Sequence, residues 1–315
     1  MLIISANYLY DRTDLKKQKK PNEPEIRKFF ERKLKESGFL LENKVEPKLK
    51  PLFNVDRDAP YFDKDLSKAR TIDFVASTFI PDGTRPPKGK KAVASLKLVI
   101  ECKSLPDHGW IFFPGKDPKI TFRDEVSAMK DTGRNSPLSK IVPLLTFPTL
   151  YHAASYSEFH LEDKSNNGSH SNKRDDNLYG AVHAVTKATR DQIELMKKAL
   201  NAIYMRYNTL QIVPIVTLYQ PLIIFYGRMY ASDTVNDEIS LRPLKYAQIM
   251  KRYTSEFYNE SIGDIHIVHF DALDEYLKLI HDFYWSSSEF IMKNQEDLLD
   301  LTYQNAASCK KFSSF

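Results

Sequence analysis

Apolar and polar positions follow two different rhythms along this chain, and the changes between them mark the predicted elements. From Asn22 to Ser37 the apolar side chains Ile26, Phe29, Phe30 and Leu34, with the stem of Lys33, recur at three- and four-residue steps. That is the stripe of an amphipathic helix. Asn22 supplies a cap, Pro24 suits an early helical position, Glu23 and Glu25 complement the helix dipole, and Gly38 stops the run. A strand is predicted over 39–45, followed by a polar stretch rich in Pro and Asp over 46–67. Thr71 to Ile80 and Leu96 to Lys103 read as buried strands, rich in β-branched and apolar residues. Pro81-Asp82-Gly83 opens a turn between them, and Pro86 to Lys91 extends it into a basic loop, so the two strands should form an antiparallel hairpin.

The pattern is weakest from Ser104 to Gly180, which holds Trp110, Pro114, Gly115 and a polar tract from Lys164 to Arg174 with the character of a surface loop. Periodicity returns with a long helix over 181–207, strands over 211–219 and 222–230, and a strand over 264–270. Two further helices are predicted over 273–285 and 288–302. No internal repeat is visible. The chain therefore divides into a basic leader at 1–20, a core at 21–230 with an insertion at 104–180, and an extension at 231–315 packed on that core. The longest apolar stretch, 212–226, is broken by Pro214, Gln220 and Pro221 and does not read as a membrane span. With no apolar leader after Met1 either, the expected location is the cytoplasm.

Composition changes this picture little. The 315 residues are 42% hydrophobic and 28% charged, which describes an ordinary globular chain. A formal net charge of +5 suits a polyanionic partner without requiring one. Two cysteines, Cys102 and Cys309, give neither a disulfide framework nor a zinc-ligand spacing. The sequence contains no phosphate-binding glycine loop, no dinucleotide fingerprint and no motor domain.

The informative anomaly lies inside the two buried strands. Asp73 interrupts Thr71-Ile72-Asp73-Phe74-Val75, and Leu98-Val99-Ile100 runs directly into Glu101-Cys102-Lys103. Strand side chains alternate, so Glu101 and Lys103 share one face while Ile100 and Cys102 take the other. An apolar sheet gains nothing from these charges. A metal-dependent phosphodiesterase does, because two carboxylates hold a hard cation and an ammonium orients water. The competing reading is structural: Asp73 bonded to a neighbouring backbone at a sheet edge, and Glu101 and Lys103 as a solvent-facing pair. Similar strings, Glu31-Arg32-Lys33 and Glu42-Asn43-Lys44, recur elsewhere in this lysine-rich chain without such an apolar setting.

The pattern Asp73 … Glu101-Cys102-Lys103 resembles the PD-(D/E)XK nuclease superfamily, whose core order α-β-β-β-α-β matches the predicted elements over about 24–230. The resemblance implies an α/β fold of the restriction-endonuclease type: a mixed central sheet flanked by helices, here with a large insertion and a helical C-terminal extension. It implies Mg²⁺, with Mn²⁺ as a substitute, held by Asp73, Glu101 and the Cys102 carbonyl, and Lys103 at the attacking water or scissile phosphate. Many members add a glutamate from the first helix, for which Glu25 is the candidate; a dipole-compensating surface residue is the alternative. Gln192 on the long helix is a further auxiliary candidate, although the Gln-X-X-X-Tyr form is broken by Met196. Lys88, Lys90, Lys91 and Arg190 are candidate phosphate contacts, with Lys16 to Lys20 a possible arm.

The function so implied is Mg²⁺-dependent hydrolysis of DNA phosphodiesters, with a restriction endonuclease as the first reading. A repair or recombination nuclease of the same fold, or a non-catalytic nucleic-acid-binding protein, are the alternatives. Cleavage of both strands of a duplex calls for a twofold homodimer. Material for its interface is available in 141–151 and in the C-terminal helices with Phe283, Tyr284, Trp285, Phe290 and Leu298. His266 and His269 fall on opposite faces of a strand and read as core or edge residues. Trp110-Ile111-Phe112-Phe113 reads as an aromatic core cluster rather than a base-stacking surface.

Overall fold

One mixed sheet of eight strands organises the chain. The computed structural model describes residues 23–36, 38–78, 93–114, 150–160, 177–207, 215–235, 238–249 and 265–293. In order these form α1 (Glu23–Glu36), α2 (Phe39–Leu49), β1 (Asn54–Asp63), β2 (Lys68–Ser77), β3 (Val93–Pro114), β4 (Tyr151–His160) and α3 (Asn177–Tyr207). They continue with β5 (Ile215–Val235), β6 (Glu238–Pro243), β7 (Tyr246–Ile249) and β8 (Ile265–His269). A 3-10 turn, Phe270–Ala272, then leads into α4 (Leu273–Lys293). The leader at 1–20, Glu31 to Lys33 as side chains, Lys88, Lys90, Lys91 and most of 141–151 lie outside the described residues.

The sheet order is β1-β2-β3-β4-β7-β8-β5-β6, and an additional β3–β5 pairing closes β3, β4, β7, β8 and β5 into a ring. β1 and β2 pair antiparallel, as do β2 and β3, which is the expected hairpin. β3 and β5 run parallel, joined by a crossover that contains α3. Alternation in these central strands sets the two sides of the core. Leu98, Ile100, Leu222 and Ile224 meet α2 and α4 on one face, through Leu41, Val45, Leu49, Tyr276 and Ile280. Val99 and Ile223 meet α3 on the other, through Leu178, Val182 and Val185. The protein is thus mixed α/β with helices on both faces of the sheet.

Four of the differences from the sequence reading have a local reason, while β4, β6 and β7 lie where that reading places no strand. Residues 39–45 are helical, not extended: Leu41, Val45 and Leu49 are buried at four-residue spacing, and Gly38 starts α2 from φ 74°. The polar stretch 46–67 contains β1. Its inward positions are Val55, Arg57, Ala59, Tyr61 and Asp63, which bury charge as well as apolar surface and so hide the two-residue period. Pro60 is tolerated there because β1 is an edge strand. The strands expected at 211–219 and 222–230 are one, β5. Pro221 pairs with Val99 one residue before β8 joins at Leu222, where its missing N–H breaks no ladder with that neighbour. The two C-terminal helices are continuous through Lys293 as α4, and 294–302 lies outside the described residues.

The expected segment limits at 104 and 230 fall inside β3 and β5. Trp110 and Phe112 are fully buried, and Trp110 stacks on Phe225 with centroids 3.6 Å apart. Gly109 faces Phe159 across the β3–β4 ladder, and a side chain at 109 would strike that ring. The stripe of α1 does not enter the core: Ile26, Phe29 and Phe30 are 40%, 48% and 58% exposed.

Candidate functional site

Asp73 and Glu101 meet where the sheet forks. The β2–β3 ladder runs from Ser77↔Lys97 to Phe74↔Ile100, and the next residues on the two strands are Asp73 and Glu101. Beyond them the β1–β2 hairpin leaves β3 and rests its tip on α3, where Lys64 Nζ contacts Glu194 at 2.7 Å and Lys187 Nζ contacts Asp63 at 2.8 Å. The parting of the strands removes the ladder partner of the Cys102 N–H. The Asp73 carboxylate replaces it, accepting that N–H at 2.6 Å. A residue's N–H and C=O point to the same side of an extended strand, so the Cys102 carbonyl projects along the same edge.

Glu101 and Lys103 do form a pair, at 2.7 Å, but not on open surface: their side chains are 12% and 28% exposed. Burial and the Glu101 charge push Asp73 up to about 7, against the lowering effect of the Cys102 N–H. Burial likewise raises Glu101, offset in part by Lys103 and reinforced by Glu42. For Lys103, burial works against the charge, but the Glu101 carboxylate and then Asp73 outweigh it, and its pKa is raised. The protein groups thus hold Lys103 as its ammonium, and a bound cation would act in the opposite direction. The Cys102 thiol is held well up by burial and by the neighbouring carboxylates, so it is not a thiolate nucleophile.

A third carboxylate was missed in the sequence. Glu42 on α2 contributes its charge to Asp73, Glu101 and Cys102 alike. Arg57 of β1 holds it, donating to Glu42 Oε2 at 2.8 Å, to Asn43 Oδ1 at 2.8 Å and to Glu46 Oε2 at 3.2 Å. The signal was present in the four-residue spacing of Leu41, Val45 and Leu49, which places Glu42 beside the buried face. Reading 39–45 as a strand concealed it.

The remaining candidates are distributed as follows. Glu25 lies on α1, its side chain outside the described residues. Gln192 Oε1 accepts from Lys97 Nζ at 3.3 Å, and Lys97 precedes Glu101 by four residues, about 13 Å of extended strand. Gln192 is therefore not brought to the carboxylates. Arg190 is within 3.8 Å of Glu194, the residue of α3 that also meets Lys64 at the tip of the β1–β2 hairpin. His266 is buried against the Tyr276 hydroxyl at 2.8 Å, and burial drops its pKa to about 3, so it is a neutral core residue. His269 caps the 3-10 turn, with Nε2 2.8 Å from the Gly227 carbonyl.

Asp73, raised to about 7 by burial and by the Glu101 charge, and Glu101, raised by burial, are a donor set that a hard divalent cation would satisfy. Among the described residues no group of three or more acidic, His or Cys side chains gathers at ligand distance. Mg²⁺ characteristically takes only one or two carboxylates, with waters and substrate phosphate completing the octahedron. Asp73, Glu101 and the Cys102 carbonyl fit that requirement. No described helix is long and apolar enough to cross a membrane. Compared with family models, with curated proteins and with solved structures, the chain matches none.

Proposed function

We propose that this protein is a Mg²⁺-dependent endonuclease hydrolysing DNA phosphodiester bonds. The observation that carries the reading is the convergence of Asp73, Glu101 and Lys103 at the fork between β2 and β3, with Glu42 brought in from α2. The succession α2, β1, β2, β3, α3, β5 supports a restriction-endonuclease-like core, to which the ring-closing strands are additions.

Asp73, Glu101 and the Cys102 carbonyl would hold the cation. When bound, Mg²⁺ supplies charge neutralisation at the phosphate and a water of lowered pKa. The chain's own contributions are distinct. Asp73 must lose its proton, which ties activity to pH values around and above its pKa of about 7. With Glu101 engaged by the cation, Lys103 would present its ammonium to the scissile phosphate or the attacking water. A restriction enzyme acting as a homodimer is the first substrate reading, and a monomeric repair nuclease the second.

Purified parent, Asp73→Ala and Glu101→Ala, each incubated with plasmid and linear DNA with and without Mg²⁺, test the proposal. Cleavage should require Mg²⁺ and vanish in both variants while the fold persists. Full activity in either variant rejects the assignment.

A further inference from the structure

Past the fork, on the sheet face opposite to Glu101 and Lys103, lies a second feature that the hydrolytic reading does not use. Tyr226 stands there, one register step beyond Lys103. Through the sheet, Lys103 pairs with Phe225 and Ser104 with Tyr226. Through α2, Glu42 acts on Asp73 and Glu101, while Lys44, two residues on, stands 6.0 Å from the centroid of the Tyr226 ring. Phe225 turns into the core against Trp110; Tyr226 takes the opposite face and remains 41% exposed. Its ring meets Phe270 edge to face, with centroids 6.3 Å apart at 82°.

Immediately beyond Tyr226 is a cavity of about 280 Å³, lined by residues that include Gly227, Arg228 and His269. Its shape follows from an irregularity in the sheet. Between Ser104↔Tyr226 and Gly109↔Arg228, β3 gains extra residues over β5, and Gly227 is the single residue opposite them. A side chain at 227 would strike the Phe225 ring and approach the Leu105 carbonyl, so the backbone there stays bare. His269 holds the Gly227 carbonyl from the β8 side. Arg228 is exposed at the cavity, and among the described residues neither it nor Lys44 has an ion-pair partner.

We propose that Tyr226, Arg228 and Lys44 form a subsite for one unpaired nucleotide of the substrate strand. An exposed ring flanked by unpaired cations has the chemistry of a single-strand platform: the base stacks on the aromatic face and the cations neutralise adjoining phosphates. A base in a duplex stack has no free face to offer, so the nucleotide comes either from a single-stranded segment or from a duplex by flipping. The subsite rests on the nuclease reading for its role, but its binding is measurable apart from cleavage.

The test uses the full chain in Ca²⁺, with single-stranded, tailed-duplex and blunt-duplex oligonucleotides that carry 2-aminopurine at successive positions. Binding is read by anisotropy and stacking by quenching of the 2-aminopurine. Tyr226→Ala should weaken single-strand binding roughly five- to 150-fold and abolish quenching. Tyr226→Phe, which keeps the ring, should stay within about twofold of the parent on the same scale. Arg228→Ala should lower the salt slope by about one charge. Quenching in single-stranded and tailed substrates alone identifies a pre-existing unpaired strand; quenching in blunt duplex as well identifies flipping. Parent-like affinity and quenching in Tyr226→Ala would overturn the subsite, even if Asp73→Ala abolishes Mg²⁺-dependent cleavage and leaves the nuclease reading standing. A parent that binds none of the three oligonucleotides overturns both.

Discussion

Asp73 combines two duties that pull its proton in opposite directions. As a hydrogen-bond acceptor for the Cys102 N–H it favours the carboxylate, but burial and Glu101 favour the acid, and the acid side prevails with a pKa of about 7. A carboxyl raised in the folded state contributes stability that is present below its unfolded pKa near 4 and lost as pH climbs through about 7. Asp73→Asn keeps an acceptor for Cys102 and carries no charge. Thermal unfolding should therefore find it more stable than the parent at pH 8, by roughly 1–3 kcal/mol, and close to the parent below pH 4. Mg²⁺ or Ca²⁺ should raise the parent's Tm at pH 8 and leave that of Asp73→Asn unmoved; an equal rise in both would exclude Asp73 as a ligand. Lys103→Arg should fail to restore cleavage, because a guanidinium is larger and does not deprotonate. Cleavage by Lys103→Arg at the parental rate would eliminate a general-base role. These three residues were legible because charge on an apolar strand is conspicuous. Glu42 was not, because its place depends on a helix whose Phe39, Leu41 and Val45 also fit a two-residue period.

At the scale of elements, the fork persists because the β1–β2 hairpin has somewhere else to go. Asp63 at its tip is 2% exposed and is held by Lys187 of α3, which also reaches Asp65 at 2.9 Å. Arg70 approaches Asp63 from the next strand at 3.4 Å. Removing the ammonium alone leaves a buried carboxylate poorly compensated. Lys187→Ala should cost on the order of 3 kcal/mol in chemical denaturation, and combining Asp63→Asn with Lys187→Met should recover most of it. A loss below about 0.5 kcal/mol would mean the tip is not anchored there, since surface changes fall in that range. Sequence periodicity located β2, the first half of β3, α3 and β8 because each buries apolar side chains at regular spacing. It failed at β1, whose inward side is ionic, and at β4, where Gly109 and Phe159 fit each other across the ladder without a hydropathic signature.

For the whole molecule, the question is whether one copy suffices. One centre of this kind cuts one strand, so double-strand cleavage predicts a twofold dimer burying well over ~1,000 Å² in total. Light scattering at micromolar concentration, with and without duplex DNA, decides this: a monomer that only nicks under both conditions removes the restriction-enzyme reading. The parallel pairing of β3 with β5 has a consequence for how the molecule is made. It joins residues 122 positions apart, as in the Ser95–Thr217 hydroxyl contact, and the chain between them must be synthesised before the centre of the sheet can close. Until β5 emerges, β3 offers an unpaired apolar edge, Leu98, Val99 and Ile100 included, to any other strand nearby. Pairing over so long a separation is slow, so the nascent chain passes through an interval in which the acidic residues are in place and the sheet that should bury them is not.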